Sequence, residues 1–534
     1  MNNLVINKNK TVFILFFIIF IGSLLRFFNL GSESFWRDEI MAVNESSNDS
    51  LKHIISNRLE NGHSPLYFIF MHYWISAFGK RELWVRFPSA IFGIASILLI
   101  YFLAKELFDT KIGLLSSFFQ AIGAIDIIYS QEARMYSALS FFAILSTFFL
   151  IKILKYNKYQ AKFYWLGYFI SLSLCLFLSP AGTLILISQS IYIFFIKKKH
   201  KEISRKLILY ILLISFLYAP LFWIMARNNK LAGEHVYPHN FRGILELFKT
   251  FTPLVFGKIM YLNGAGGYNI LFSLYFIFVL FAIYYYLRNI KTEIASILLY
   301  FLFIPPLVLF IITKFLLPVF LPRYVLFVSS SFYIISAYFL LSINNKILKF
   351  TTFFVLIILC FFSLYFYYTN GIKPNWQEIL EFIRGHHREK VEIISLYSGG
   401  YSLELDHYNR GVNNIIYIPP LEKLDWIDFN VAKESIFVSF KVKKLFESEI
   451  RFLNFVYNSG RIKNTSKVPL EFNINFTSPT NVLSLIFPHN ESNEPLIKLL
   501  SKNYKFYIEK IFSKGWMLPD DIKVIVFLNY MKDK

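Results

Sequence analysis

Residues 65–78 read PLYFIFMHYWISAF, and this apolar run decides how the chain is threaded through a membrane. A helix rises about 1.5 Å per residue, so the run would span about 21 Å, whereas the hydrocarbon core of a bilayer is about 30 Å thick. That length is typical of an interfacial or re-entrant helix and not of a helix that crosses. We therefore predict that residues 65–78 lie in the membrane interface.

The composition is that of an integral membrane protein. Of the 534 residues 56% are hydrophobic, with 62 Phe and 34 Tyr, which is too apolar for a water-soluble globule of this size. The net charge of +21 does not indicate nucleic-acid binding, because the basic residues lie in short clusters between apolar runs and not along one helix face. The two cysteines, Cys175 and Cys360, lie inside apolar runs, so neither a disulfide framework nor redox chemistry is predicted.

Apolar runs long enough to cross the hydrocarbon core predict about eleven transmembrane helices. The first run follows Lys8 and Lys10, is too long for a signal-peptide core and lacks a small-residue cleavage site, so we interpret it as the first span. The predicted spans are residues 11–30, 87–107, 113–129, 136–154, 163–178, 183–196, 207–225, 270–287, 294–312, 324–343 and 347–368.

Basic clusters between the spans give their orientation, because cytoplasmic loops carry an excess of Lys and Arg. If residues 65–78 do not cross the membrane, these clusters fall on the inside. If residues 65–78 did cross, the clusters would fall on the outside. The loop 227–268 is an exception, but long loops obey the rule less strictly. The clusters are Lys105 with Lys111, Lys152 with Lys155, Lys158 and Lys162, residues 197–206, Arg288 with Lys291, and Lys346 with Lys349.

The sequence changes character after Tyr368. From there on, apolar residues come in short strand-like runs separated by polar turns, which predicts a water-soluble α/β domain. The predicted fold class is a polytopic α-helical membrane protein, residues 1–368, with a C-terminal soluble α/β domain, residues 369–534. Examples of the strand-like runs are residues 391–397, 435–440, 482–487 and 522–528.

Four polar motifs fall on the predicted outer side of the membrane, which is also the side of the soluble domain. Ionisable groups at the ends of spans cost free energy unless they are paired or hydrated, so several of them on one face predict a functional site. The motifs are Trp36-Arg37-Asp38-Glu39, His63-Ser64-Pro65-Leu66-Tyr67, Gln131-Glu132-Ala133-Arg134-Met135-Tyr136 and Pro322-Arg323-Tyr324.

The adjacent carboxylates Asp38 and Glu39 would point about 100° apart on a helix, so both cannot address one atom. We predict that one reacts while the other supports it. Desolvation near an apolar boundary raises the pKa of a carboxylate toward the working range of a general base. The alternative is structural, with Asp38 as the N-cap of a short surface helix that starts at Glu39.

Glu132 and Tyr136 are four residues apart and are predicted to share a helix face. Arg134 would then point elsewhere, toward a phosphate or toward a carboxylate from another segment. The alternative for Arg134, and for residues 323–324, is an interfacial anchor. We interpret Arg26 as such an anchor.

These motifs, in this order and spacing, resemble a known family. The family comprises the bacterial relatives of the protein O-mannosyltransferases and of the lipid A aminoarabinose transferases, within the C-type membrane glycosyltransferase superfold. The likeness is best between Phe35 and Tyr136. Two further segments carry it, Arg86-Phe87-Pro88-Ser89-Ala90 followed by Gly93, and more weakly Lys373-Pro374-Asn375-Trp376.

The resemblance implies an enzyme that takes a sugar from a single-phosphate polyprenyl carrier, with inversion at the anomeric carbon. By motif position, Asp38 would be the catalytic base or acceptor-orienting acid, Glu39 would support it, and Glu132 would be a second acidic member. Arg134 and Arg323 would neutralise the leaving phosphate, because a guanidinium group suits that role. The other site residues so assigned are His63 and Tyr324 at the donor phosphate, and Trp36, Tyr67 and Tyr136 in support.

The chain departs from the family pattern after His63. The usual pattern has two prolines there, whereas this chain has Ser64 and then Pro65. The local turn is therefore left open. His63 either contacts the phosphate or caps the interfacial helix.

A divalent cation could replace part of the arginine clamp. The candidate ligands are Glu234, His235 and His239 in the predicted outer loop, although three such residues in a loop are more often simply solvated. No other cofactor is predicted, and no nucleotide-binding fingerprint occurs.

The main alternative function is a multi-span transporter or lipid flippase, which would also have many spans and buried charges. A non-catalytic receptor or assembly factor would leave the converging carboxylates and arginines without a role. For a transferase the acceptor stays open between a glycolipid, a protein and a cell-envelope polymer. The predicted location is the bacterial inner membrane, with the first outer loop, residues 31–86, and the C-terminal domain on the extracytoplasmic side.

Overall fold

A computed structural model gives the fold of most of the chain up to residue 385 and of separate strands beyond it. The described residues are 7–156, 161–197, 200–228, 268–290, 292–315, 321–370, 373, 375–385, 392–395, 407–408, 414–417, 482–488, 504–512 and 522–529. They form two compact units. The first contains Met1–Ser32 and Ala42–Thr369, and the second contains Glu33–Met41 and Asn370–Lys534.

The described residues up to Gly385 are mainly helical. The helices are α1 (Lys8–Phe27), α2 (Arg37–Ser46), α3 (Leu51–Glu60), α4 (Leu66–Phe78), α5 (Glu82–Leu107), α6 (Thr110–Ile122), α7 (Ala124–Ser130), α8 (Tyr136–Lys155), α9 (Ala161–Leu178), α10 (Gly182–Ile196), α11 (Lys201–Asn228), α12 (Tyr268–Asn289), α13 (Ile297–Phe315), α14 (Val328–Ser342), α15 (Lys346–Asn370) and α16 (Trp376–Gly385). Short 3₁₀ turns at Ile294–Ser296 and Pro322–Val325 precede α13 and α14.

Within the described residues, six helices are long and apolar enough to cross a membrane, or seven if the bent pair α6 and α7 counts as one span. The six are α1, α5, α8, α11, α13 and α15. The other predicted spans coincide with shorter apolar helices. The helical membrane fold is therefore confirmed, while the number of eleven spans stays a prediction.

Helix α4 has 13 residues and ends abruptly before α5 begins. The N–H group of Gly79 donates to the carbonyl of Ile75 at 2.8 Å, and Gly79 has a φ of 85°, a conformation that residues with a side chain rarely adopt. The chain can therefore turn into α5 within three residues.

Side-chain caps fix where other helices begin. The Asp109 carboxylate accepts the N–H groups of Lys111 and Ile112 at 2.8 and 2.9 Å and so starts α6. Ser50 accepts the N–H group of His53 at 3.3 Å and starts α3. Both are side-chain oxygens that satisfy N–H groups of a first helical turn.

The predicted span 113–129 is not one straight helix. Helices α6 and α7 meet at Gly123 with a bend of 57°. A Cβ atom at Gly123 would overlap the hydroxyl group of Tyr333, so the close approach of α14 requires a glycine there. A Cβ atom at Gly93 would likewise overlap Ser130 Oγ, which explains a glycine of the sequence motif through the packing of α5 on α7.

Arg26 is not an interfacial anchor, and this interpretation of the sequence was wrong. Its side chain is fully buried and donates to the carbonyls of Gly22, Ala121 and Gln120 at 3.1, 3.0 and 2.9 Å. The side-chain amide of Gln120 in turn donates to buried Asp126 at 2.8 Å. A guanidinium group that finds several carbonyl acceptors inside the bundle does not need to reach the membrane surface.

Asp126 lies in α7 just beyond the bend and joins three helices. Its carboxylate accepts the Tyr333 hydroxyl at 2.7 Å and the Ser329 hydroxyl at 3.2 Å, both from α14. With the Gln120 contact from α6, the network holds α6, α7 and α14 together. Its hydrogen bonds compensate for burying a carboxylate in the bundle.

The second unit contains a five-stranded mixed sheet. The strands are β1 (Glu392–Ser395), β2 (Asn414–Tyr417), β3 (Val482–Pro488), β4 (Tyr504–Phe512) and β5 (Ile522–Asn529). Their order is β2-β1-β3-β5-β4, with β1 parallel to β2 and β3, and β5 antiparallel to β3 and β4. Three predicted strand-like runs coincide with β1, β3 and β5, and the run 435–440 lies outside the described residues.

Candidate functional site

Residues 131–135 form a buried turn between α7 and α8. Glu132 and Arg134 both lie in it with almost no exposed surface, and the Arg134 N–H group donates to the Glu132 carbonyl at 2.8 Å. Ser89 of α5 donates to the Arg134 carbonyl at 3.2 Å. A short buried turn that carries a carboxylate and a guanidinium group is costly to fold without a role for those charges.

The predicted shared helix face of Glu132 and Tyr136 was wrong. Helix α7 ends at Ser130 and α8 begins at Tyr136, so Glu132 lies in a turn where helical spacing does not apply. Arg134 does not point away from Tyr136 either, because its guanidinium carbon lies 5.8 Å from the centre of the Tyr136 ring.

Gln131 ties this turn to the C-terminal end of α1. Its amide nitrogen lies 3.2, 3.0 and 2.7 Å from the carbonyl oxygens of Leu25, Arg26 and Phe28. The hydroxyl group of Tyr367 in α15 donates to the amide oxygen of Gln131. The last carbonyls of a helix have no partner within the helix, so Gln131 satisfies them and fixes the turn at the same time.

The structure brings two predicted phosphate-binding arginines to one aromatic ring. Arg323 is in the 3₁₀ turn before α14, and its guanidinium carbon lies 5.7 Å from the centre of the Tyr136 ring. The guanidinium carbon of Arg134 lies 5.8 Å from the same ring centre. Tyr324 and Tyr129 complete the cluster, with ring centres 6.1 and 5.6 Å from that of Tyr136. Two guanidinium groups beside one ring make a cationic, aromatic-lined site that suits a phosphate group.

Arg58 of α3 is another buried arginine of this unit, and the sequence motifs do not include it. Its Nη2 atom lies 2.8 Å from Glu45, and its guanidinium carbon lies 4.9 Å from the centre of the Phe68 ring. Burial lowers the pKa of Arg58, with Glu45 raising it and Arg134 lowering it further. The signal available in the sequence was the spacing of Ile54 and Arg58, which places both on one buried face of α3.

The motif around His63 leads from α3 into α4. The His63 N–H group donates to the Arg58 carbonyl at 2.8 Å, and the His63 ring lies 6.4 Å from that of Phe68. The N-cap position of α4 is Pro65, so His63 does not cap that helix. Tyr67 is buried, and its ring packs edge-on against Phe68 at 5.7 Å.

Ser64, which stands where the family pattern has a proline, is buried and forms a contact that proline could not make. Its hydroxyl group donates to the carbonyl of Leu176 near the end of α9 at 3.3 Å. The departure from the pattern therefore adds a hydrogen bond between this turn and α9.

The Asp38 and Glu39 motif lies in the second unit, at the start of α2. The helix begins at Arg37, so Trp36 is the N-cap residue and Asp38 is inside the first turn. The alternative interpretation of Asp38 as an N-cap was therefore wrong. Glu39 Oε2 accepts the Trp36 N–H group at 3.3 Å, the reciprocal half of a capping box. Asp38 is half-buried, whereas Glu39 is fully buried.

Glu39 forms a buried ion pair with Lys373, the first residue of the weak motif at residues 373–376. The two charged atoms, Glu39 Oε2 and Lys373 Nζ, are 2.9 Å apart, and both side chains are almost inaccessible to solvent. No spacing in the sequence could have indicated this pair, because its two members come from distant segments of the chain.

The structure thus brings Arg134, Arg323, Tyr136 and Tyr324 together in the first unit. It brings Trp36 and Glu39 together in the second. The candidate metal ligands Glu234, His235 and His239 lie outside the described residues. In the part of the chain that the structure describes, no three His, Cys, Asp or Glu side chains are grouped so that they could hold a metal ion.

The helical membrane fold is similar to that of solved C-type membrane glycosyltransferases. Residues 62–224 match the family described as dolichyl-phosphate-mannose-protein mannosyltransferase. The predicted resemblance to this class is therefore confirmed. No curated protein sequence matches significantly.

Solved structures of the same fold share little sequence with the chain. ArnT from Cupriavidus metallidurans has a TM-score of 0.51 at 11% identity in the apo state, and the match covers 96% of this chain and 97% of that one. ArnT bound to undecaprenyl phosphate has the same TM-score and coverages at 12% identity. AglB, an oligosaccharyltransferase from Archaeoglobus fulgidus in complex with an inhibitory peptide and a dolichol-phosphate, has a TM-score of 0.50 at 13% identity, covering 96% of this chain and 75% of that one.

Proposed function

We propose that the chain is a glycosyltransferase that moves a sugar from a polyprenyl-phosphate carrier to an acceptor on the outer face of the membrane. The observation that carries the proposal is the pair of guanidinium groups, Arg134 and Arg323, on the ring of Tyr136. Arg134 also lies inside the segment that matches the mannosyltransferase family. A leaving phosphate needs cationic groups of this kind, fixed before the reaction begins.

The proposed reaction is a single displacement. The acceptor oxygen or nitrogen attacks the anomeric carbon while the bond from that carbon to the phosphate oxygen breaks, so the configuration inverts. Asp38 takes the proton of the acceptor, and Arg134 and Arg323 neutralise the charge left on the polyprenyl phosphate. Glu39 supports Asp38, Glu132 is the second acid of the site, and His63 and Tyr324 contact the phosphate. Trp36, Tyr67 and Tyr136 are supporting residues.

The relatives support the class of donor. ArnT has been solved with undecaprenyl phosphate, and AglB with a dolichol-phosphate, and both ligands are polyprenyl-type phosphates. We propose the same class of carrier here. The acceptor is a glycolipid, a protein or a cell-envelope polymer.

The proposed topology has eleven spans, with residues 65–78 in the membrane interface. This arrangement places the first loop, residues 31–86, outside the bacterial inner membrane. Residues 1–368 then form the membrane domain, and residues 369–534 form a soluble extracytoplasmic α/β domain. The length of α4 supports this topology, which also leaves the basic clusters of the short loops on the inside, as is usual for membrane proteins.

The transporter alternative has one observation in its favour. The bent helix pair α6 and α7 carries buried Asp126, and broken helices with buried ionisable groups are typical of transporters. However, Asp126 is held by Gln120, Ser329 and Tyr333, and this network ties the helices together. We therefore favour a structural role for Asp126.

Lipid extracts test the proposed function. When a transferase is removed from a cell, its donor is no longer used. Cells without the chain should therefore accumulate one sugar-linked polyprenyl monophosphate, which mass spectrometry can identify. Cells that express the wild-type chain should not. Identical lipid-linked sugar profiles in the two kinds of cell would contradict the proposal, and redistribution of that lipid between the two leaflets without accumulation would favour a flippase.

A further inference from the structure

Residues Glu33–Met41, which carry Asp38, belong to the same compact unit as the chain from Asn370 onward. Apart from this segment, the described residues before Asn370 belong to the other unit. The residues that surround the start of α2 within the second unit therefore come from the C-terminal part of the chain. Their contacts determine how the first turn of α2 is held.

One of these contacts is the ion pair between Glu39 and Lys373. The charged atoms are 2.9 Å apart and both side chains are buried, so water screens their attraction little. Burying two charges is favourable only when they remain together, and removal of one leaves the other uncompensated. The pair therefore fixes the position of Glu39 relative to the segment around Lys373.

Further contacts hold the residues immediately before the helix. The hydroxyl group of Ser34 lies 3.4 Å from the side-chain oxygen of Asn375 and accepts the Gln377 N–H group at 3.3 Å. The Phe35 N–H group donates to the Tyr408 hydroxyl at 2.5 Å. Contacts from the C-terminal part thus flank Asp38 in the sequence, at residues 34 and 35 on one side and at Glu39 on the other.

Glu39 transmits this restraint to the turn that carries Asp38. Its carboxylate accepts the N–H group of Trp36, the N-cap residue, while the same oxygen atom faces Lys373. Asp38 lies between Trp36 and Glu39, so its backbone is held on both sides. A catalytic base must be held within hydrogen-bond reach of the proton that it removes, and a displacement of about 1 Å can cost about a hundredfold in rate.

We propose that Lys373 is a positioning residue for the transfer reaction, acting through Glu39 on the carboxylate of Asp38. The C-terminal part of the chain would then be needed for the chemical step itself, in addition to any role in choosing the acceptor. This inference rests on the proposed function, in which Asp38 is the base.

The test uses four variants of the full-length protein in lipid nanodiscs: Lys373→Met, Glu39→Gln, the double variant and Lys373→Arg. The donor is the sugar-linked lipid that accumulates in cells without the chain, and membranes from those cells supply the acceptor. Lys373→Met and Glu39→Gln should each lower kcat at least about tenfold, with the donor KM within about twofold of wild type, because a misplaced base affects the transition state and not donor binding.

The ion pair between Glu39 and Lys373 leads to two further predictions. If both residues act through one contact, the double variant should be no more than about twofold slower than the slower single variant. Lys373→Arg keeps the positive charge and should retain a kcat well above that of Lys373→Met. Lys80→Met, which removes an exposed lysine in the turn after α4, is the matched control and should keep the wild-type kcat.

A wild-type kcat in Lys373→Met, or losses that multiply in the double variant, would overturn the inference. If Lys373→Met does not fold, the double variant replaces it, since it leaves neither charge unpaired, and a wild-type kcat there would have the same meaning. A wild-type protein that transfers no sugar would instead refute the proposed function, so the two failures are distinguishable.

Discussion

At Tyr136, two arginines from different parts of the chain share one aromatic ring. Arg134 reaches it from the turn before α8, and Arg323 reaches it from the 3₁₀ turn before α14. Guanidinium groups bind phosphate oxygens through charge-assisted hydrogen bonds, so a phosphate group suits this arrangement. This geometry supports the proposal of a donor that carries a phosphate.

Arg134→Lys tests this role, because lysine keeps the charge but lacks the planar fork that binds a phosphate through two hydrogen bonds. We expect kcat/KM for the lipid-linked donor to fall at least about tenfold, equivalent to about 1.4 kcal/mol of transition-state stabilisation. Steady-state kinetics in nanodiscs measure it. Arg227→Lys, at an exposed position near the end of α11, is the control and should leave kcat/KM unchanged. Wild-type kinetics for Arg134→Lys would show that the fork does not bind the phosphate.

The sequence could identify charged residues at the ends of spans, but not the partners that they meet. Glu39 is buried, and the role of one carboxylate in supporting the other stays a prediction. Its partner Lys373 could not be predicted, because a tertiary ion pair leaves no local pattern in the sequence. Arg26 was misjudged for the same reason, since its carbonyl acceptors on α6 are distant in the chain.

At the scale of the helix, α4 carries the argument about topology. Its 13 residues span about 20 Å, which is too short to cross about 30 Å of hydrocarbon at any tilt. The glycine that ends it lets the chain turn directly into the long helix α5. If α4 stays in the interface, a single crossing by α5 separates α3 from the start of α6.

Cysteine labelling tests this arrangement. Lys52 in α3 and Lys111 at the start of α6 are exposed, and the native Cys175 and Cys360 are buried, so the background should be low. In intact cells, a membrane-impermeant maleimide should label Lys52→Cys, whereas Lys111→Cys should react only after permeabilisation. Labelling of both from outside would mean that α4 crosses, and labelling of Lys111→Cys alone would reverse the orientation.

The positions of the helices could be predicted from apolar length, but their breaks could not. The run 113–129 is apolar throughout, yet the structure bends it by 57° at Gly123, where the Tyr333 hydroxyl leaves no space for a Cβ atom. The turn between α7 and α8 could not be predicted either, because Glu132 and Tyr136 have the spacing of residues on one helix face. Tertiary packing determines both features.

The whole molecule combines a helical membrane unit with a second unit that joins the Asp38 segment to the C-terminal part. Its fold matches ArnT and AglB at 11% to 13% identity, so overall sequence similarity carries almost no information about it. The resemblance to this class could nevertheless be predicted from a few motifs between residues 35 and 136, and residues 62–224 match the mannosyltransferase family. The division into these units could not be predicted, since the short segment 33–41 lies among helices of the other unit in the sequence.

The measurement that tests the central claim most directly is sugar transfer by Asp38→Asn. Asparagine has the same shape as aspartate but cannot accept the proton of the acceptor, so we expect transfer to fall by about a hundredfold or more. The variant should keep the wild-type melting temperature in detergent, which shows that the protein is folded. Full activity of folded Asp38→Asn with the lipid-linked donor would contradict the proposal that Asp38 is the base of a glycosyltransferase.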